Sequence, residues 1–115
     1  MARLILFFCA ACLVTACGSP QRYAAAYYAK GVKYHYFDAP DEAQEFFQKS
    51  LDTGYVLPGA YASMGVALIK QGRIEEGVSL LDREYELYRD PLVKDYIAFI
   101  RERFDLNEPA AGGAQ

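Results

Sequence analysis

Few side chains in this 115-residue sequence could carry out chemistry. The chain has one histidine, His35, and its three cysteines all lie within the first 17 residues. A hydrolase needs a nucleophile, a base and a group that orients the base, and this set does not supply them. One histidine also argues against a zinc site. We therefore predict no enzyme, no catalytic residue, no metal site, no cofactor and no small-molecule substrate.

Carboxylates cluster at Asp38, Asp41, Glu42 and Glu45. Their spacing lacks the oxygen ligand at every second position and the central glycine of a calcium loop. Acidic residues favour the first turn of a helix because they interact with the helix dipole. We interpret the cluster as a helix start and predict no calcium site.

The third cysteine, Cys17, follows a pattern typical of exported proteins. Met1-Ala2-Arg3 is a short positive start, and Leu4 to Leu13 is an apolar run too short to cross a bilayer as a helix. The motif Val14-Thr15-Ala16-Cys17 resembles the lipobox of bacterial lipoproteins. The resemblance implies a signal peptide over residues 1–16 and a covalent lipid, such as palmitate, on Cys17. The alternative is an ordinary signal peptide in which Cys17 has no role.

The residue after the cysteine bears on the cellular location. Gly18 stands where an aspartate would favour the inner membrane, so the resemblance implies a lipid-anchored, periplasm-facing protein of the outer membrane. In a host with one membrane, the location would be its outer leaflet.

Cleavage removes one of 12 basic residues and none of the 15 acidic ones, so the mature chain is more negative than −3. Such a chain without a basic stripe is expected to bind no nucleic acid.

The mature chain divides into three predicted parts. Residues 17–21 are the acylated cysteine and a tether of four residues, which reaches about 14 Å at about 3.5 Å per residue. Residues 22–106 form a helical domain. Residues 107–115, NEPAAGGAQ, lack periodic apolar residues and are predicted to be a disordered tail.

The two halves of the domain are similar when one is shifted by 34 residues. Tyr27 then aligns with Tyr61, and Gly31 aligns with Gly65. This is the period of a tetratricopeptide repeat, in which two helices form a hairpin. The repeat consensus has alanine where this chain has polar residues, at Ser50 and Glu84.

Apolar periodicity supports helical hairpins independently of the repeat. Tyr61, Met64, Gly65 and Leu68 recur at i, i+3, i+4 and i+7, the stripe of an amphipathic helix. Small residues on these stripes are predicted to let paired helices approach closely: Gly31, Ala43, Gly65 and Gly77.

Glycines and prolines predict where the helices begin and end. Helix stops are predicted at Gly54 and Gly72, and helix starts at Pro40, Pro58 and Pro91. The sequence thus predicts an all-α fold of two tetratricopeptide-like helical hairpins plus a C-terminal capping helix.

A closer resemblance covers Val56 to Pro91. The segment LPGAYASMGVALIKQGRIEEGVSLLDREYELYRDP is similar to the repeat of a family of small bacterial lipoproteins of unassigned function, which shares the proline-glycine-x-tyrosine start and Glu84. Members are often encoded beside lipoproteins similar to the curli secretion channel. The resemblance implies a shared envelope task and a channel-like lipoprotein as partner. The family usually carries tryptophan in its front half, and this chain has none.

In tetratricopeptide repeats the first helix of each pair lines a concave groove, and the resemblance places eight residues there. They mix aromatic and aliphatic groups with one histidine and one lysine: Tyr28, Val32, His35, Tyr36, Ala62, Val66, Ile69 and Lys70. Such a face suits a peptide segment. We expect a non-catalytic interaction or assembly module of the bacterial cell envelope that binds another envelope protein. The alternative is a structural subunit that self-associates on the membrane through the same face.

Overall fold

The computed structural model describes residues 18–106, so the predicted signal peptide, Cys17 and the tail 107–115 lie outside the described residues. The described part is all-α, as predicted. Its helices are α1 (Pro20–Tyr36), α2 (Pro40–Asp52), α3 (Ala60–Lys70), α4 (Ile74–Tyr88) and α5 (Pro91–Arg103). They pair in chain order: α1 packs on α2, α3 packs on α4, and α5 packs on α4 at the C-terminal end.

The first helix starts earlier than the predicted domain boundary at residue 22. α1 begins at Pro20, and the Ser19 side chain caps it by accepting a hydrogen bond from the N–H of Arg22 at 3.4 Å. Proline suits this first position because its missing N–H would have no helical partner there. The described part of the tether is therefore reduced to Gly18 and Ser19.

The turns inside the two hairpins share one geometry. Gly72 has φ of 85°, and the N–H groups of Gly72 and Arg73 donate to the carbonyls of Ile69 and Leu68 at 3.0 and 2.9 Å. This is the Schellman pattern that satisfies the last carbonyls of a helix. Asp38 occupies the equivalent turn after α1 and also has positive φ, 57°. The predicted helix stop at Gly72 is confirmed.

The start of α3 differs from the sequence prediction. The helix begins at Ala60 and not at Pro58. Its N-cap, Gly59, has φ of 90°, a left-handed conformation that cannot continue into a helix, so Pro58 lies in the preceding turn. Pro40 and Pro91 are the first residues of α2 and α5, as predicted.

The second hairpin is built on backbone-to-backbone contact. A Cβ atom placed on Gly65 would lie 2.7 Å from the carbonyl oxygen of Gly77, and one on Gly77 would lie 2.5 Å from the carbonyl oxygen of Gly65. In the first hairpin, a Cβ on Gly31 would lie 2.5 Å from the ring of Phe47. The predicted close approach at these glycines is confirmed.

Two buried polar side chains stand at equivalent places near the ends of α2 and α4. The hydroxyl of Ser50 donates to the carbonyl of Ala24 at 2.8 Å. The carboxylate of Glu84, which is 3% exposed, accepts from the N–H of Gly59 at 2.5 Å. Each bond joins the end of the second helix to the start of its hairpin. This role accounts for polar residues where the repeat consensus has alanine.

Candidate functional site

The hairpins give the described domain two distinct ends. Successive helices joined by short connections run antiparallel, so the starts of α1, α3 and α5 lie at one end together with the last turns of α2 and α4. We call this the proximal end because it carries Gly18, the residue next to Cys17. The opposite, distal end carries the turns 37–39 and 71–73.

Half of the predicted groove does not form an open surface. Ile69 packs against the backbone of Gly77, because a Cβ there would lie 2.6 Å from its Cγ1 atom. Three residues of α3 are half-buried against a core cluster that α4 and α5 build from Val78, Leu81, Ile97 and Ile100: Ala62, Val66 and Ile69. These three side chains join α3 to the C-terminal helices.

Tyr28 is also partly engaged inside the fold. Its ring centroid lies 5.5 Å from that of Phe47, and its hydroxyl lies 3.1 Å from the Ser63 hydroxyl on α3. The residue therefore links the two hairpins. Since this position contributes to the core, its substitution would change stability together with any binding.

The other four predicted groove residues lie towards the distal end. Tyr36 is 86% exposed, and its ring meets that of Phe37 edge-on, with the centroids 6.1 Å apart. Phe37 is 67% exposed. We call the following set the distal surface: Val32, His35, Tyr36, Phe37, Asp38 and Lys70. Sequence reasoning missed Phe37 because it follows the last residue of α1 and so falls outside the helical stripe.

A charged pair adjoins the two exposed rings. The ammonium group of Lys70 lies 3.3 Å from the Asp38 carboxylate, which connects α3 to the turn after α1. Burial, and then the positive charge of Lys70, lower the pKa of His35 below its ordinary value, while Asp38 acts in the opposite direction. His35 is therefore mainly neutral at pH 7, and its buried Nδ1 atom finds no hydrogen-bond partner among residues 18–106.

The four clustered acidic residues of the sequence do not form one site, because each has its own surroundings in the fold. Asp41 and Glu42 lie in the first turn of α2, where the helix dipole favours them. Glu45 pairs with Lys49 at 3.2 Å. Within residues 18–106, no group of three or more histidine, cysteine or acidic side chains is placed to hold a metal ion. No helix in the same part of the chain has the length and hydropathy needed to cross a bilayer.

Comparisons of this chain with protein-family models, curated proteins and solved structures find no match. The distal surface is therefore interpreted from its own residues.

Proposed function

We propose that this protein is a lipid-anchored, non-catalytic interaction module of the bacterial outer membrane. It faces the periplasm and binds a segment of another envelope protein through its distal surface. The observation that carries the proposal is the exposed Tyr36–Phe37 pair, which lies at the opposite end of the domain from Gly18. Large aromatic side chains of this kind anchor protein interfaces because they bury much area at little cost in conformational entropy.

The neighbours of the aromatic pair define the chemistry of the partner. Val32 is 43% exposed and extends the apolar area, and the Lys70–Asp38 ion pair adds a polar edge. An apolar centre with a polar rim is the usual composition of an interface. The surface suits a segment that offers an apolar side chain to the rings and a polar group to the ion pair.

The lipid on Cys17 determines where this binding takes place. Each buried methylene group contributes about 0.8 kcal/mol, so several acyl chains hold a protein stably on a membrane. The partner must therefore be reachable from the same membrane. The resemblance of Val56 to Pro91 to lipoproteins encoded beside curli-channel-like proteins supports a channel-like lipoprotein as that partner.

Photo-crosslinking in the native envelope tests this function. A photoreactive amino acid at position 36 should give one discrete protein adduct, to be identified by mass spectrometry. The matched control is position 48, because Gln48 is exposed on α2 away from the distal surface. Phe37→Ala in the same chain should abolish the adduct without changing the melting temperature, since Phe37 is mostly exposed. Equal adducts at both positions, or an adduct unaffected by Phe37→Ala, would remove the distal surface as the binding site.

The second candidate function is a structural subunit that self-associates through the same aromatic pair. A two-fold interface brings the same patch of both copies together, and two exposed rings can pack against their copies. Light scattering of the protein without its acyl chains distinguishes the candidates. A dimer at micromolar concentration that Tyr36→Ala dissociates supports self-association, whereas a monomer contradicts it.

A further inference from the structure

We propose that the proximal end of the domain rests directly on a phospholipid bilayer and inserts a rim of tyrosine and leucine side chains into its interface. This inference builds on the proposed anchor at Cys17. Five large apolar side chains at this end are between 39 and 76% exposed. We call them the proximal rim: Tyr23, Tyr55, Leu87, Tyr88 and Leu92.

The topology brings these five residues to one end although they come from four different parts of the chain. Tyr23 lies near the start of α1, and Tyr55 lies in the loop between α2 and α3. Leu87 and Tyr88 end α4, and Leu92 lies in the first turn of α5. The Tyr88 hydroxyl donates to the carbonyl of Val56 at 3.5 Å, which joins two of these parts directly.

The tether is too short to separate the rim from the lipid. Cys17 precedes the first residue of α1, Pro20, by three positions, which span at most about 11 Å when extended. The ring of Tyr23 lies against the tether, because a Cβ on Gly18 would lie 3.1 Å from its Cε2 atom. A helix is about 10–12 Å across with its side chains, which matches or exceeds the reach of the tether. At most a single helix of another protein would therefore fit between the rim and the membrane. The bilayer is therefore the occupant that we assign to this face.

The side-chain chemistry of the rim fits the boundary of a bilayer. Tyrosine is enriched at this boundary because its ring is apolar while its hydroxyl remains hydrated. Leu92 is 76% and Leu87 is 55% exposed in the protein alone, and insertion would remove both from water.

Charge does not drive the proposed contact. Basic and acidic side chains are mixed at this end, so neither sign of charge dominates: Arg22, Lys49, Arg89 and Lys94 are exposed beside Asp52, Glu86 and Asp90. A polybasic patch would indicate anionic lipid, and none is present here. The rim should therefore contact neutral phospholipid, and the contact should depend little on salt.

Contact at the proximal end sets the height of the distal surface. α1 has 17 residues and rises about 1.5 Å per residue, so it spans about 25 Å. A domain standing on its proximal end displays Tyr36 and Phe37 up to about 25 Å above the lipid. Partner segments held at this height would be recognised in preference to segments at the membrane surface.

Single tryptophan reporters test the inference because the chain has no tryptophan of its own. Tyr55→Trp reports on the rim, and Tyr36→Trp is the matched control at the distal end. Each acylated mature protein is reconstituted into phosphatidylcholine vesicles with or without brominated acyl chains, which quench only nearby tryptophan. We expect brominated lipid to quench the emission of Tyr55→Trp and to leave that of Tyr36→Trp unchanged. Equal quenching of both, or of neither, would overturn the inference.

A charge in the rim provides the second variant. Leu92→Asp in the Tyr55→Trp protein should reduce the quenching while the protein stays on the vesicles, because the anchor remains and the carboxylate resists insertion. Phe37→Asp is its control at the distal end and should leave the quenching unchanged. A blue shift of the Tyr55→Trp emission that depends on protein concentration and not on bromination would show that a second copy of the chain covers this face. That result would overturn the inference.

Measuring the mass of each protein distinguishes an error in the proposed rim contact from an error in the proposed lipid anchor. An acylated protein that binds vesicles but shows no quenching overturns the rim alone. A protein without added acyl mass overturns the anchor and the inference together.

Discussion

Gly77→Ala tests the packing on which the second hairpin depends. The new Cβ would lie 2.5 Å from the carbonyl oxygen of Gly65, whereas ordinary van der Waals contact begins at 3.4 Å. The backbones of α3 and α4 must therefore separate by about 0.9 Å to admit one methyl group. Ile69 on α3 must also move, since its Cγ1 atom would be only 2.6 Å away.

The expected magnitude follows from two opposing effects. Overpacking a close contact costs about 1–3 kcal/mol, and backbone atoms relax less readily than side chains, which favours the upper part of that range. Alanine gains about 1 kcal/mol of helix propensity over glycine. The free energy of unfolding should therefore fall by about 1–2 kcal/mol, and the melting temperature by about 5–15 °C.

Urea unfolding of the mature protein, followed by helical circular dichroism, measures the effect of Gly77→Ala. Ser79→Ala is the control, because Ser79 is exposed on the same helix and its change should stay within about 0.5 kcal/mol. Unchanged or increased stability of Gly77→Ala would refute the close backbone contact.

Three further predictions concern the turns and the buried polar groups. Gly72→Ala should lower the free energy of unfolding by about 1–2 kcal/mol through backbone strain alone, because φ is 85° and no atom lies within 4 Å of the added Cβ; unchanged urea denaturation would contradict this. Ser50→Ala should cost about 1 kcal/mol by removing the hydrogen bond to Ala24, and a stabilised variant in the same assay would show that bond to be dispensable. Because folding lowers the pKa of His35 below about 6.5, the unfolded state binds the proton first as the pH falls. Stability should therefore decrease below about pH 6.5, and His35→Gln should remove that part of the decrease; an identical pH profile for the variant would argue against it.

Periodicity and helix-breaking residues predict most of this fold. The stripe through Tyr61, Met64 and Leu68 is local information, since residues three and four apart share a helix face. The stop at Gly72 is also local, because a left-handed turn favours glycine. Pro58 predicts a start of α3 two residues before the observed one, because proline alone does not reveal that the following residue, Gly59, adopts positive φ.

The candidate site was less predictable because it depends on how the helices pack. The tetratricopeptide resemblance predicts that Ile69 lines the groove. In the structure its side chain packs against Gly77, because α3 and α4 meet at their glycines. The bond from Gly59 to Glu84 joins residues 25 positions apart, so no local pattern indicates it. The rim at the proximal end likewise becomes visible only when the ends of separate helices are brought together.

The proposed attachment of lipid to Cys17 would orient both proposed surfaces, and mass spectrometry of the amino-terminal peptide from purified membranes tests it directly. We expect a peptide that begins at Cys17 and carries the added mass of its acyl chains. A peptide that begins at another residue, or one that contains unmodified Cys17, would contradict the anchor and the orientation that follows from it.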